Sequence, residues 1–250
     1  MSISIIVPVL NEAAIVRGFL EHLCAAAPNA EIILVDGGSK DGTLDFCRDL
    51  VDHIVETVPE RARQMNAGAR LARGEILWFL HADSRVSANA AAAIEDTLCD
   101  PQIVGGCFAL QIVPSRWIYR VRDATANVCV NLFRIALGDR GLFCRRENFF
   151  AVGGYSDQPL LEDADLYRKL RRTGGVRQIP IRIQSSARRY ETLGPIRTSL
   201  FYLLIMTLYL ARAPMPILHT MVDWFFLRKP HVRKVTRFRR THPDSPINVG

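Results

Sequence analysis

Four groups of polar residues break into otherwise apolar stretches, and their types suit chemistry on a charged ligand. Asp36 closes the run Glu31–Asp36, where a carboxylate is costly to bury unless it accepts hydrogen bonds or binds a cation. It opens the segment Val35-Asp36-Gly37-Gly38-Ser39-Lys40-Asp41-Gly42-Thr43, whose three glycines permit close backbone approach to a bulky ligand. Asp36 and Asp41 equally suit capping of the turn and of the next helix. In His81-Ala82-Asp83, alternate residues of an extended segment point the same way, so imidazole and carboxylate can converge on one ligand or metal ion. A loop histidine followed by a helix-capping aspartate accounts for the same residues without a ligand. Leu161-Glu162-Asp163-Ala164-Asp165-Leu166 places three carboxylates ahead of a helix marked by Leu166 and Leu170. Acidic residues in a first helical turn complement its dipole, whereas one beside a crevice can take a proton from an attacking hydroxyl. Ser186-Ala187-Arg188-Arg189-Tyr190 adds adjacent guanidinium groups, whose planar fork suits phosphate.

These groups lie far apart in sequence, so only the fold can bring them together. Ile3 to Pro8 reads as a strand buried on both faces, and Glu12 to Ala27 follows with Ile15, Phe19 and Leu23 at helical spacing. Glu31 to Asp36 repeats the strand signal, and a helix is expected near Asp41 to Leu50. Strands are expected at His53 to Val58 and Glu75 to Leu80, and helices at Arg61 to Ala72 and Ala88 to Leu98. The last strand is expected at Val176 to Ile183. Strands alternating with helices imply a mainly parallel sheet covered on both sides, and ligands bind such sheets at the carboxyl edge. Asn11 and Glu12, Asp36 and Asp41, and His81 and Asp83 all fall at that edge. After Cys107 the alternation decays, and Gln111 to Leu137 is expected to form irregular or helical structure over the crevice. Gly138-Asp139-Arg140-Gly141 and Gly153-Gly154-Tyr155 read as tight turns aiming the chain toward the acidic cluster. The lack of GxGxxG after the first strand disfavours a dehydrogenase.

With 250 residues, 49% hydrophobic and 23% charged, the chain can bury a sizeable core as one large domain, or one domain with an appendage, and disorder is excluded. Six scattered cysteines without a CxxC pair suggest buried free thiols in a reducing compartment. The apolar run from Ile3 has no basic segment before it and meets Asn11 and Glu12 at once, which fits a core strand rather than a signal peptide. From Arg228 to Gly250 seven Lys or Arg face one Asp, a balance of +6 that leaves +1 of the net +7 to residues 1–227. Basicity is therefore a property of the tail, where it would attract phosphates or anionic head groups, and nucleic acid is not an expected partner. Leu200 to Ala211, bounded by Arg197 and Arg212, falls short of the roughly 20 residues needed to span a bilayer. Ala213 to Leu227 carries Pro214, Pro216, His219 and Asp223. Two short helices are expected, either packed on the main domain or dipping into a lipid interface with Trp224, Phe225 and Phe226.

In combination, Ile6-Val7-Pro8-Val9-Leu10-Asn11-Glu12, the Val35 to Thr43 segment, Arg63-Gln64-Met65-Asn66-Ala67-Gly68-Ala69, Leu80-His81-Ala82-Asp83 and Glu162-Asp163 resemble a family 2 glycosyltransferase over residues 3 to 192. The Leu-His-Ala-Asp form and Ser186 to Arg189 are similar to a bacterial subgroup of that family. The resemblance implies an α/β, GT-A (Rossmann-like) fold, a mainly parallel sheet flanked by helices with a C-terminal helical extension. The corresponding division is 1–192 for the donor-binding and catalytic domain, 193–228 for the apolar helices and 229–250 for the basic tail. It further implies an inverting, metal-dependent enzyme that moves a sugar from a nucleotide-diphosphate donor, a UDP-sugar first, to an unknown acceptor hydroxyl, while the thiols and the C-terminal helices lead to the expectation of a cytoplasmic protein or one peripheral on the inner face of a membrane. Pro8, Asn11, Glu12, Asp36, Gly38, Asp41, Arg63, Asn66, His81, Ala82, Arg188 and Arg189 would bind the donor. Asp83 would be the main protein ligand of Mn2+ or Mg2+, and Asp163 the base with Glu162 beside it. Most members carry a first DxD carboxylate where this chain has His81, which is therefore either a second metal ligand or a contact to ribose or phosphate. A nucleotidyltransferase acting on a sugar phosphate and a non-catalytic, membrane-associated nucleotide-sugar-binding protein are the alternative readings.

Overall fold

The computed structural model describes residues 1–133, 135–136, 140–158 and 160–227. The basic tail and the Gly138-Asp139 half of the expected turn lie outside the described residues, as do the side chains of Arg189 and Phe226.

The chain begins with four βα-type steps. β1 (Ile3–Val9), α1 (Val16–Ala26), β2 (Glu31–Asp36), β3 (His53–Glu56), α2 (Arg61–Leu71), β4 (Ile76–Phe79) and α3 (Ala90–Leu98) follow in order. β1 is buried at every position because the sheet is covered on both sides. Ile5, Val7 and Val9 face α1 and α3 through Leu20, Leu23, Ile94 and Leu98, while Ile6, Ile33 and Val35 face α2 through Met65 and Ala69. α2 lies directly on the sheet: a Cβ at Gly68 would come within 2.5 Å of Ile6 Cγ2, so only glycine lets this helix approach so closely.

The second half adds β5 (Ile103–Val113), α4 (Trp117–Phe133), β6 (Phe143–Arg145), α5 (Arg146–Ala151), α6 (Glu162–Leu170), β7 (Gly175–Ser186), α7 (Arg188–Leu193), α8 (Pro195–Leu210) and α9 (Met215–Leu227). The seven strands form one sheet in the order β3-β2-β1-β4-β6-β5-β7. β6 alone runs antiparallel, to β4 and β5, while the β1–β2, β1–β4, β2–β3 and β5–β7 pairs are parallel. Of the two register shifts between β5 and β7, the one between Phe108 and Ala109 falls where Pro180 occupies the edge strand, a residue unable to donate to the ladder.

Several expectations need correction. The helix expected at Asp41–Leu50 is only a 3-10 turn, Thr43–Phe46, entered through Gly42 at φ +81°. α1 starts at Val16 rather than Glu12, because Asn11 takes φ +54° and the Glu12 and Ala13 N–H groups donate to side chains of the next loop. The stretch after Cys107 is more regular than expected: β5 continues through Gln111 to Val113, and α4 supplies the helical part. Of the six thiols, Cys47, Cys107 and Cys144 are buried and Cys99 is exposed. As expected, the C-terminal apolar residues form two helices, and among the described residues none is long and apolar enough to cross a membrane.

Candidate active site

At the carboxyl edge the loops after β1 and β2 are laced together by side chains. Asn11 N–H donates to Ser39 Oγ (2.8 Å), Lys40 N–H to Asn11 Oδ1 (2.9 Å), Glu12 N–H to Thr43 Oγ1 (2.9 Å) and Ala13 N–H to Asp41 Oδ2 (3.0 Å). The exposed Asp41 is thus a clasp between loops, and hydrogen bonds led by the Thr43 hydroxyl pull its pKa below the usual carboxylate value. Asp36 is buried and accepts hydrogen bonds from Gly38 N–H (2.9 Å), Ser39 N–H (2.8 Å) and the Ser39 hydroxyl, so its carboxylate is solvated by its own turn. Gly38, exposed at φ +88°, has open space beside its Cα, and Pro8 is buried in β1 opposite Val35. Sequence reasoning missed Gln64. Its buried amide donates to Val9 O and Val35 O, both at 2.9 Å, tying α2 to the carboxyl ends of β1 and β2. A polar residue on the packed face of α2 was the available signal.

After β4, Leu80 N–H still pairs with Ile6 O (3.1 Å), so His81, Ala82 and Asp83 leave the sheet beside the β1 loop. Ala82 is buried, whereas His81 and Asp83 are half-buried. The next residues are anchored across the sheet edge: Arg85 and Gln184 exchange two backbone hydrogen bonds of 2.8 and 2.9 Å. This bridge brings the β4 loop to the end of β7, from which the exposed Arg188 opens α7.

The acidic cluster resolves into two roles. Asp165 is structural: it accepts hydrogen bonds from Ser156 Oγ (2.7 Å) and Arg168 (2.6 Å) and pairs with Lys169 (3.2 Å). Burial, the largest single influence, pushes its pKa up, but these donors together outweigh it and leave the pKa lowered. Glu162 and Asp163 begin α6 and are also buried. Arg61 lies 3.5 Å from Glu162, while Arg63, the arginine singled out in the sequence, pairs with Asp157 (2.9 Å) and Glu60 (2.7 Å) on the surface. Asp163 Oδ1 accepts a hydrogen bond from the Tyr155 hydroxyl at 3.2 Å. Burial first, and then the Asp163 charge, raises the Tyr155 pKa well above that of a free phenol, so the hydroxyl stays a donor.

The route from β4 to Asp163 is continuous. The Tyr155 ring meets Phe79 edge-on with centroids 5.0 Å apart, two residues before His81. Asn66 of α2 grips the Tyr155 backbone twice, donating to its carbonyl (2.8 Å) and accepting from its N–H (3.0 Å). The expected Gly153–Tyr155 turn is therefore present, and Gly154 is required in it. Its φ is +64°, and a Cβ there would lie 2.6 Å from Asn66 Oδ1. Arg140, read from sequence only as part of a turn, is buried and donates to Asn127 Oδ1 (2.7 Å). Burial lowers its pKa and raises that of the adjacent Cys107 to about 12.

Among the described residues no three His, Cys, Asp or Glu side chains converge as a preassembled metal centre. Asp83 and His81 offer a partial donor set, one carboxylate and one imidazole at the mouth of a half-exposed loop. That set fits a cation whose remaining ligands arrive with an anionic substrate.

The fold is a GT-A-type α/β domain, with these polar residues gathered at the carboxyl edge of its sheet. The chain belongs to glycosyl transferase family 2, whose model matches residues 4–154, more than half of its length. It is 30% identical over 165 residues to the PGL/p-HBAD biosynthesis glycosyltransferase of Mycobacterium bovis, covering 61% of this chain and 62% of that relative. The chain thus matches less than two thirds of the length of such relatives. The fold resembles a mannosyltransferase of Pyrobaculum calidifontis solved in complex with GDP-Man and Mn2+, with TM-score 0.64 and 22% identity over 91% of this chain and 70% of that one. It also resembles the glucosyl-3-phosphoglycerate synthase of Mycobacterium tuberculosis, with TM-score 0.57 and 15% identity over 72% and 70% of the two chains.

Proposed function

We propose that the protein transfers a sugar from a nucleoside-diphosphate donor to an acceptor hydroxyl, with inversion and with a divalent cation. The observation that carries this reading is the chain of contacts Phe79–Tyr155–Asp163, which ties a buried carboxylate at the start of α6 to the strand that delivers His81 and Asp83. Family membership supports the same class of reaction.

In this reading the laced loops bearing Asn11, Glu12, Asp36 and Gly38 form the wall for nucleoside and ribose, together with Pro8 and Asp41, while Asn66 acts through the Tyr155 backbone and Arg63 through its surface carboxylates. Arg188 and Arg189 follow the end of β7, which the Arg85–Gln184 bridge joins to the β4 loop, and would serve the diphosphate. Asp83, with His81, would hold Mn2+ or Mg2+, which supplies charge neutralisation to the departing diphosphate. Asp163 receives the acceptor hydroxyl proton as the oxygen bonds to the anomeric carbon and the carbon–phosphate oxygen bond breaks, releasing the nucleoside diphosphate. Glu162, already held by Arg61, assists by shaping the negative field beside Asp163. Attack on the face opposite the leaving group inverts the anomeric centre. A UDP-sugar is the first donor to test and a GDP-sugar the second.

The test is a thermal-shift screen of nucleotide sugars with and without Mn2+, followed by product detection with an acceptor panel, since a ligand selective for the native state raises apparent stability. A metal-dependent shift with release of nucleoside diphosphate and a glycosylated acceptor is expected. Release of pyrophosphate from a nucleoside triphosphate and a sugar phosphate would make the protein a nucleotidyltransferase. A donor that binds and is never turned over would make it a binding protein.

A further inference from the structure

α8 and α9 form a helical pair with its own small core, Phe201, Ile205, Leu218 and Phe225, in which the Phe201 and Phe225 rings stack 3.8 Å apart. Their outward faces break the usual pattern of a surface helix, which is polar toward water. On α8, Ile196, Leu200, Leu203, Thr207 and Leu210 recur at helical spacing on one side, and Ile196, Leu200 and Leu203 are 60%, 61% and 56% exposed. On α9, Ile217 and Trp224, seven residues apart, are each 54% exposed. Between Thr198 and Leu227 the only Asp, Glu, Lys or Arg residues are Arg212 and Asp223. The surface of α1 carries the Arg17–Glu21 ion pair and that of α9 the His219–Asp223 pair (3.3 Å), whereas the outward stripe of α8 is Ile, Leu and Thr. Large apolar side chains exposed in a stripe along α8 mark an interaction site.

The chemistry next to this face selects its occupant. Arg197 and Arg212 are exposed at the two ends of α8. The segment following α9 carries seven Lys or Arg and one Asp, starting four residues after Trp224. An apolar helical face bordered by cations and by an interfacial tryptophan complements a bilayer surface with anionic head groups, and neither helix is long and apolar enough to span one. We propose that α8 and α9 dock the protein flat on an anionic lipid surface, independently of the sugar-transfer reading.

The experiment is flotation of the full chain with phosphatidylcholine vesicles, alone or with about one third phosphatidylglycerol. Binding to the anionic vesicles, weakened by salt and nearly absent with phosphatidylcholine alone, is expected. The double variant Leu200→Asp/Leu203→Asp should lower that binding by roughly tenfold or more while leaving the melting temperature unchanged, because both side chains already face solvent. Arg233→Glu/Lys234→Glu in the tail should lower it by about thirtyfold or more. No binding to anionic vesicles, or equal binding by the leucine variant, would overturn the proposal. So would a dimer that the leucine variant dissociates in the absence of any vesicle binding, since a second copy would then be the occupant.

Discussion

Replacing Asp163 by Asn separates the chemical role of this side chain from its structural one. Asn keeps an oxygen able to accept the Tyr155 hydroxyl hydrogen bond, 3.2 Å long in the native protein. A hydrogen bond to a carboxylate contributes about 1.5–3 kcal/mol and a neutral one about 0.5–1.5 kcal/mol, so the Asn variant should fold with stability within about 2 kcal/mol of the parent. Asp163→Ala instead strands the buried Tyr155 hydroxyl and should cost roughly 1–3 kcal/mol. The rate responds differently, because an amide cannot accept the proton of the acceptor hydroxyl. Loss of a positioned base lowers the rate by about 100- to 10,000-fold, equivalent to roughly 2.7–5.4 kcal/mol in the barrier. The assay is kcat at saturating donor and acceptor, paired with donor-induced thermal shift on the same preparation. Unchanged donor binding with transfer lost is the expected result. Transfer by Asp163→Asn at close to the parent rate would refute the role. If Glu162→Gln alone lost transfer, the base would lie one residue earlier and Asp163 would serve only to orient Tyr155.

Asp83→Ala should remove the Mn2+-dependent part of the donor thermal shift, read against the variant's own apoprotein melting temperature. Asn66→Ala removes both clamps on the Tyr155 backbone and should cost roughly 1–3 kcal/mol in urea unfolding, with kcat falling more than donor KM rises. A raised KM at unchanged kcat would instead mean that Asn66 touches the donor. Asp165 has its folded pKa below the unfolded value, so the stability it adds is fully present above about pH 4 and is lost as pH falls through the folded value. Asp165→Asn should therefore flatten the acid limb of the stability profile, which chemical denaturation at a series of pH values measures.

Much of the architecture was legible because it depends on short-range pattern. The apolar run of β1 announced a strand buried on both faces, the spacing of Phe19 and Leu23 announced α1, and alternation of the two types announced a parallel sheet with polar residues at its carboxyl edge. β6, three residues long and reversed, is too short to carry a period, and its place between β4 and β5 follows from packing. The expected helix after Asp41 is a short turn, entered through Gly42 at φ +81°, in which the Asp41 and Thr43 side chains accept from backbone N–H groups of the preceding loop.

By itself, the amino-acid sequence determined the layered α/β design, the types of group gathered at its edge and the two apolar helices at the end, all properties of neighbouring residues. Only the tertiary structure decided which of those groups are spent on the fold. Asp165 is consumed by Ser156, Arg168 and Lys169, Asn66 by the Tyr155 backbone and Arg63 by surface carboxylates, while Arg61 is turned toward Glu162 and Tyr155 toward Asp163. A carboxylate, amide or guanidinium has the same chemistry wherever it stands. Its partner, often dozens of residues away, fixes whether it holds the chain or acts on a ligand.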